Sequence, residues 1–211
     1  MAPVSSSSAC VSVVLPHPAL AITHGLSGSG KTTLTQGLLE WIGAIRIRTD
    51  VERKRLHGLD PRARSGSGLD EGLYAAGATE RTYRRALELA EAVAAAGGVA
   101  IVDGTFLKRW QRDLFRARAE QLGLPFVILA FTASDATLRA RIVARAQRAT
   151  DASEADLGVL DGQLLAREPL APDERAQAVD IDAEAPQERS RDPATWLEVC
   201  ARLGITGTPP P

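Results

Sequence analysis

At 211 residues and 45% hydrophobic content the chain can bury a proper core and is expected to form a single globular domain, with no apolar run long enough for a membrane-spanning helix. A formal charge of −1 excludes a broad electrostatic footprint for nucleic acid or an anionic membrane and leaves only local basic patches. Two cysteines at opposite ends, Cys10 and Cys200, have no metal-ligand spacing and lead us to expect a reduced, cytoplasmic compartment.

Residues 1–18 are rich in Ser, Pro and small side chains, and their apolar stretch, 11–15, lacks the basic flank of a secretory signal. They are expected to be a disordered tail before a domain over 19–206, with 207–211 a second tail. A short buried strand over 19–22 leads into Gly25-Leu26-Ser27-Gly28-Ser29-Gly30-Lys31-Thr32, after which Leu34, Leu38 and Leu39 mark the apolar face of a helix. Next come a strand over 44–49, Asp50, a helical stretch over 51–56, and an aperiodic Gly/Ser/Arg-rich segment over 57–72 that reads as a mobile surface loop. Tyr83, Ala86, Leu87, Ala90 and Val93 predict a long helix stopped by Gly97-Gly98. A buried strand over 99–102 then ends in Asp103-Gly104-Thr105. A helix over 108–122, a strand over 126–131, helices over 135–148 and 154–167 and a weak strand over 178–181 follow. The last helix is expected to open at Asp192-Pro193, with Trp196, Val199, Cys200 and Leu203 as its buried stripe. Strands alternating with helices predict an α/β fold: a parallel five-stranded sheet covered on both faces, with ligands collecting beyond the carboxyl ends of the strands.

The glycine-rich run matches the phosphate-binding loop pattern completely. Its glycines let successive backbone N–H groups turn inward around a phosphate, and the following helix points its positive end at the same anion. Gly25, Leu26, Ser27, Gly28, Ser29, Gly30, Lys31, Thr32 and Thr33 are therefore the expected nucleotide-binding residues, with Lys31 on phosphate oxygens and Thr32 on Mg²⁺. Only three lysines occur, at 31, 54 and 108, and one stands where the motif requires it.

Asp50, at a strand end, has two compatible readings: a base that accepts the proton of an attacking hydroxyl, or a cap for the helix that follows. Arg53, one turn on, can hold an anionic group of an acceptor. Asp103 can hold Mg²⁺ through water, orient the acceptor, or only cap its loop. Gly104 supplies no second acid after Asp103, and no Asn-Lys-x-Asp motif occurs, which argues against a water-activating motor and a guanine-nucleotide switch. Arg139, Arg141, Arg145 and Arg148 recur through one helix, where 141, 145 and 148 share a face. Arginines there either close over phosphates or pair on a solvated face; for Arg145 and Arg148, beside an expected lid at about 146–156, we favour the first. Lys108, Arg109 and Arg112 read as a solvated surface cluster.

Together these segments resemble the small P-loop kinases grouped with polynucleotide kinases, gluconate kinases, chloramphenicol phosphotransferases and zeta toxins. The resemblance runs over roughly 19–181 and includes the phosphate loop, Arg48-Thr49-Asp50-Val51, Gly72-Leu73-Tyr74 with Thr82-Tyr83, 102–107 with Arg112, and 145–156. Within the group the chain is most similar to bacterial kinases that occur alone or fused behind an aminoglycoside-phosphotransferase-like domain. The resemblance implies a three-layer P-loop NTPase fold with a small lid. It also implies a phosphotransferase using ATP and Mg²⁺ on an alcohol group, with Lys31, Asp50, Arg145 and Arg148 catalytic, Thr32 on the metal, and Arg53, Asp103 and Thr105 on the acceptor side. A small-molecule hydroxyl acceptor is expected. With 4% aromatic residues for stacking, single-stranded nucleic acid is expected to be at best a poor one, although a polynucleotide 5′-hydroxyl kinase is the leading rival. A nucleotide-binding regulatory ATPase module is the alternative from outside the kinases.

Overall fold

Five strands, β1 (Ala19–His24), β2 (Ile45–Arg48), β3 (Val99–Asp103), β4 (Phe126–Thr132) and β5 (Ala178–Asp182), pair in the order β2-β3-β1-β4-β5. Every pairing is parallel, as the alternation of strands and helices predicts. The computed structural model describes residues 17–60, 76–148 and 155–205. Residues 1–16 and 206–211 of the expected tails, most of the 57–72 loop and most of the lid span fall outside the described residues.

All five residues of β3 are buried, the continuous apolar character of a strand covered on both faces. Alternate side chains feed two cores. Ala21, Ile101, Leu129 and Ile181 pack against Leu34, Leu38 and Ile42 of α1 (Lys31–Ile42) and against Trp196, Val199 and Leu203. Ile22, Ala100, Val102 and Ile128 pack against Tyr83, Ala86, Leu87 and Ala90 of α3 (Ala76–Ala95) and Phe115 and Ala119 of α4 (Arg109–Gln121). A third, smaller cluster lies over the carboxyl ends of the strands, where Leu26 and Leu107 meet Leu138 and Ile142 of α5 (Asp135–Arg148) and Leu160 of α6 (Leu157–Ala166).

Several boundaries differ from expectation. Thr49 belongs to α2 (Thr49–Leu56), not to the preceding strand, because its hydroxyl turns inward and donates to Asp103 O at 3.3 Å. α6 begins at Leu157, three residues later than expected, where Asp156 caps it by accepting from Val159 N–H. Asp192 caps as predicted, accepting from Ala194 N–H, but it opens a 3₁₀ turn over Pro193–Trp196; α8 (Leu197–Arg202) starts only afterwards. Trp196 is what holds that tighter turn, buried with its indole N–H donating to Ser190 O at 2.8 Å. A four-residue helix, α7 (Pro172–Arg175), was not anticipated. Among the described residues no helix is long and apolar enough to cross a membrane.

Candidate active site

Chain order reverses around β1, with β3 and β2 on one side and β4 and β5 on the other. A parallel sheet opens a crevice at such a point, and the phosphate loop fills it. Gly28 has φ +85°, and a Cβ there would lie 2.8 Å from Leu138 O, so α5 can pack on the loop only because this position has no side chain. Gly30, at φ +76°, turns the chain into α1, whose first backbone bond is Leu34 N–H to Gly30 O. The N–H groups of Lys31, Thr32 and Thr33 therefore precede the helical ladder and stand at its positive end.

Lys31 is buried and donates to Gly25 O (2.8 Å), Leu26 O (2.7 Å) and Ser29 Oγ (3.3 Å). Burial lowers its pKa to about 8; the Asp103 and Asp50 carboxylates oppose that fall and the Arg145 charge adds to it. The loop is stitched to the residues after β3. Thr23 Oγ1 exchanges two hydrogen bonds with Gly104, Gly25 N–H donates to Thr105 O at 3.1 Å, and His24 Nδ1 meets Phe106 O at 3.0 Å.

Thr32 Oγ1 donates to Asp103 Oδ2 at 2.6 Å, bringing the predicted metal ligand against the carboxylate at the end of β3. Burial raises the Asp103 pKa, while the Thr32 hydrogen bond and the Lys31 charge pull it back. No cluster of three or more His, Cys, Asp or Glu able to hold a metal occurs among the described residues. Two hard oxygens are nonetheless a fitting donor set for Mg²⁺, which keeps several waters and takes its remaining ligands from phosphate.

Asp50 is the second residue of α2, not its cap; its carboxylate accepts from Val51 N–H (2.8 Å) and pairs with Arg48 (2.7 Å). It shares a cleft of about 910 Å³ with Lys31, Thr32 and Asp103. Arg53 and Thr105 line the same cleft, and Arg53 Nη1 donates to Thr79 Oγ1 at 3.0 Å. Arg145 lines it too, donating to Ala155 O at 2.8 Å. The side chain of Arg148 lies outside the described residues. Arg139 takes the solvated role, pairing with Asp135 and Asp161.

Arg141 stands on the arginine face read from the sequence but was not singled out there, Gln163 escaped that reading, and Arg112 was misassigned by it. Arg141, one turn before Arg145, lines the cleft and donates to Ala183 O at 2.7 Å, anchoring α5 to the loop after β5. Only its helical phase with Arg145 hinted at it. Gln163 reaches Ser27 from α6, and nothing local marks it. Arg112 overturns the surface-cluster expectation outright. Its side chain is 1% exposed and forms a two-pronged pair with Glu174, also 1% exposed, while Nη1 donates to Phe106 O at 2.9 Å. Phe106 has φ +47°, a strained value for a residue with a Cβ, and these bonds hold it beside Thr105. Lys108 and Arg109 remain surface residues, paired with Glu168 and with Asp113 and Asp173.

Residues 20–170 match the AAA domain family. Uncharacterized proteins of Mycobacterium bovis and Mycobacterium tuberculosis are 34% identical over 134 residues, which is 64% of this chain and 27% of each of theirs. The chain thus spans little more than a quarter of the length of the curated relatives it matches. Among solved structures, a sugar kinase from Janibacter superposes with a TM-score of 0.66 at 24% identity, covering 90% of this chain and 99% of that one. A gluconokinase from Sinorhizobium meliloti gives 0.61 at 21% (88% and 93%), and Chaetomium thermophilum Kti12 with ADP-AlF3 gives 0.64 at 16% (89% and 100%). The chain belongs to the AAA domain family and carries the kinase-like P-loop NTPase fold.

Proposed function

We propose that this protein is an ATP- and Mg²⁺-dependent kinase that transfers a γ-phosphoryl group to a hydroxyl of a small-molecule acceptor. The observation that carries the reading is the shared cleft. It joins the phosphate loop, the Thr32–Asp103 oxygen pair, the Asp50 carboxylate, Arg141 and Arg145, and at about 910 Å³ it has room for a second substrate beside a nucleotide.

In this reading the loop amides and Lys31 hold the nucleotide phosphates, Lys31 by turning from the loop carbonyls it now serves. Thr32 and Asp103 would hold Mg²⁺, which neutralises charge on the phosphate oxygens when bound. Asp50 accepts the acceptor's proton, with Arg48 orienting its carboxylate. Arg145 and Arg148 neutralise developing charge, while Arg53 and Thr105 position the acceptor. Cytoplasmic ATP makes a cytoplasmic location part of the same proposal. The greater length of the mycobacterial relatives leaves room for the aminoglycoside-phosphotransferase-like partner domain we propose beside it.

A screen of sugars, nucleosides, aminoglycosides and 5′-hydroxyl oligonucleotides coupled to ADP detection tests the assignment. Acceptor-stimulated ADP release by a small hydroxyl compound is the expected result. Efficient oligonucleotide labelling that weakens steeply with salt would instead establish the polynucleotide kinase. The fold is shared with Kti12 as well as with sugar kinases, so a regulatory nucleotide-binding module is the second reading; nucleotide binding with no acceptor response would favour it.

A further inference from the structure

Gln163 projects from α6 into the cleft and grips a single residue of the phosphate loop. Its Oε1 accepts from Ser27 N–H at 2.9 Å and its Nε2 donates to Ser27 Oγ at 3.0 Å. The orientation of this amide follows from chemistry: a backbone N–H can only donate, so the oxygen must face it and the nitrogen must face the hydroxyl. One Nε2 proton is used by Ser27 and the other meets no protein acceptor among the described residues. The helix behind it is fixed. Leu160 is buried against Leu26 and Leu107, and Asp161 pairs with Arg139 of α5.

We propose that Gln163 is a further catalytic residue, a pre-oriented amide donor to the phosphoryl group in flight. The proposal rests on the kinase reading above. In that reaction the acceptor oxygen forms a bond to the γ-phosphorus as the bond to the β–γ bridging oxygen breaks; the acceptor proton passes to Asp50 and ADP departs. Charge spreads over the equatorial oxygens of the phosphoryl group during the transfer. A donor already locked in place needs no reorganisation to meet that charge, which is the condition under which such a group accelerates a step. Both bonds to Ser27 serve this end: they hold the amide plane rigid and leave one N–H for the substrate.

The test compares ADP with ADP plus aluminium fluoride, in the presence of Mg²⁺, on wild type, Gln163→Ala and Gln163→Met, by titration calorimetry with melting curves alongside. Wild type should bind ADP much more tightly once aluminium fluoride mimics the flattened phosphoryl group. Whatever their affinity for ADP alone, both variants should lose roughly 100-fold of the added tightening, in line with removal of one pre-oriented donor. Tightening in wild type that persists in both variants overturns the role of Gln163 and leaves the kinase reading standing. An equal change in ADP affinity with and without aluminium fluoride also overturns it, because that signature belongs to a residue that merely shapes the loop. Absence of tightening in wild type overturns the kinase reading and this proposal together.

Discussion

Replacing Glu174 by alanine leaves the Arg112 guanidinium charged, 1% exposed and without its counter-ion. Three bonds go at once: Nε to Oε1 (2.5 Å), Nη2 to Oε2 (3.0 Å), and Ala171 N–H to Oε2 (2.8 Å). Breaking a buried pair from one side costs about 3–5 kcal/mol, because the remaining charge stays desolvated. At about 2–4 °C per kcal/mol for a domain of this size, the melting temperature should fall by roughly 6–20 °C. Burial alone would raise the Glu174 pKa, yet the bonds from Arg112 and Ala171 hold it below its ordinary value, so the carboxylate is ionised at neutral pH. Urea unfolding at pH 7, followed by the fluorescence of buried Trp196, measures the loss. The double variant Arg112→Met/Glu174→Leu should recover part of it by removing both desolvation terms, though Phe106 O and Ala171 N–H then lack partners. A Glu174→Ala protein within about 1 kcal/mol of wild type would refute the reasoning, since that is the worth of a solvated surface pair.

Lys31→Ala should abolish transfer and weaken nucleotide binding strongly, whereas Thr32→Ala should mainly raise the Mg²⁺ concentration needed; wild-type turnover in the lysine variant would sink the phosphate-loop assignment. Asp50→Asn should lower transfer by roughly 10²–10⁴-fold with ATP affinity and melting temperature nearly unchanged. Near-normal turnover would leave Asp50 only its bonds to Val51 and Arg48. His24 has its pKa lowered to about 4, chiefly by burial and against the Phe106 hydrogen bond, so the unfolded chain takes up its proton at higher pH than the folded one. Stability from this group is complete above about pH 6.5 and is lost as pH falls toward 4, by about 3 kcal/mol at most. A pH series of urea midpoints for wild type and His24→Gln should differ in slope across that window, and parallel curves would rule the linkage out.

Local pattern was enough wherever a few neighbouring residues carry the constraint. The phosphate loop, the bounds of α5 and the apolar run of β3 were all legible, because glycine backbone freedom and the spacing of apolar side chains act within one or two turns. Asp50, Asp103 and the loop were also expected at one sheet end, since parallel strands bring every carboxyl terminus to the same side. The identity of partners was not legible. Arg112 looked like a surface cation until its carboxylate, 62 residues away, was folded against it, and Gln163 meets Ser27 across 136 residues. Whether an arginine is solvated or buried depends on what packs over it, and composition says nothing of that. The sequence alone determined where the glycine-rich P-loop lies and which strand ends surround it. Only the tertiary structure decided which charges are buried with partners and which amide leans over the loop, because those contacts are made by helices whose docking is set by the shared core and not by their own residues.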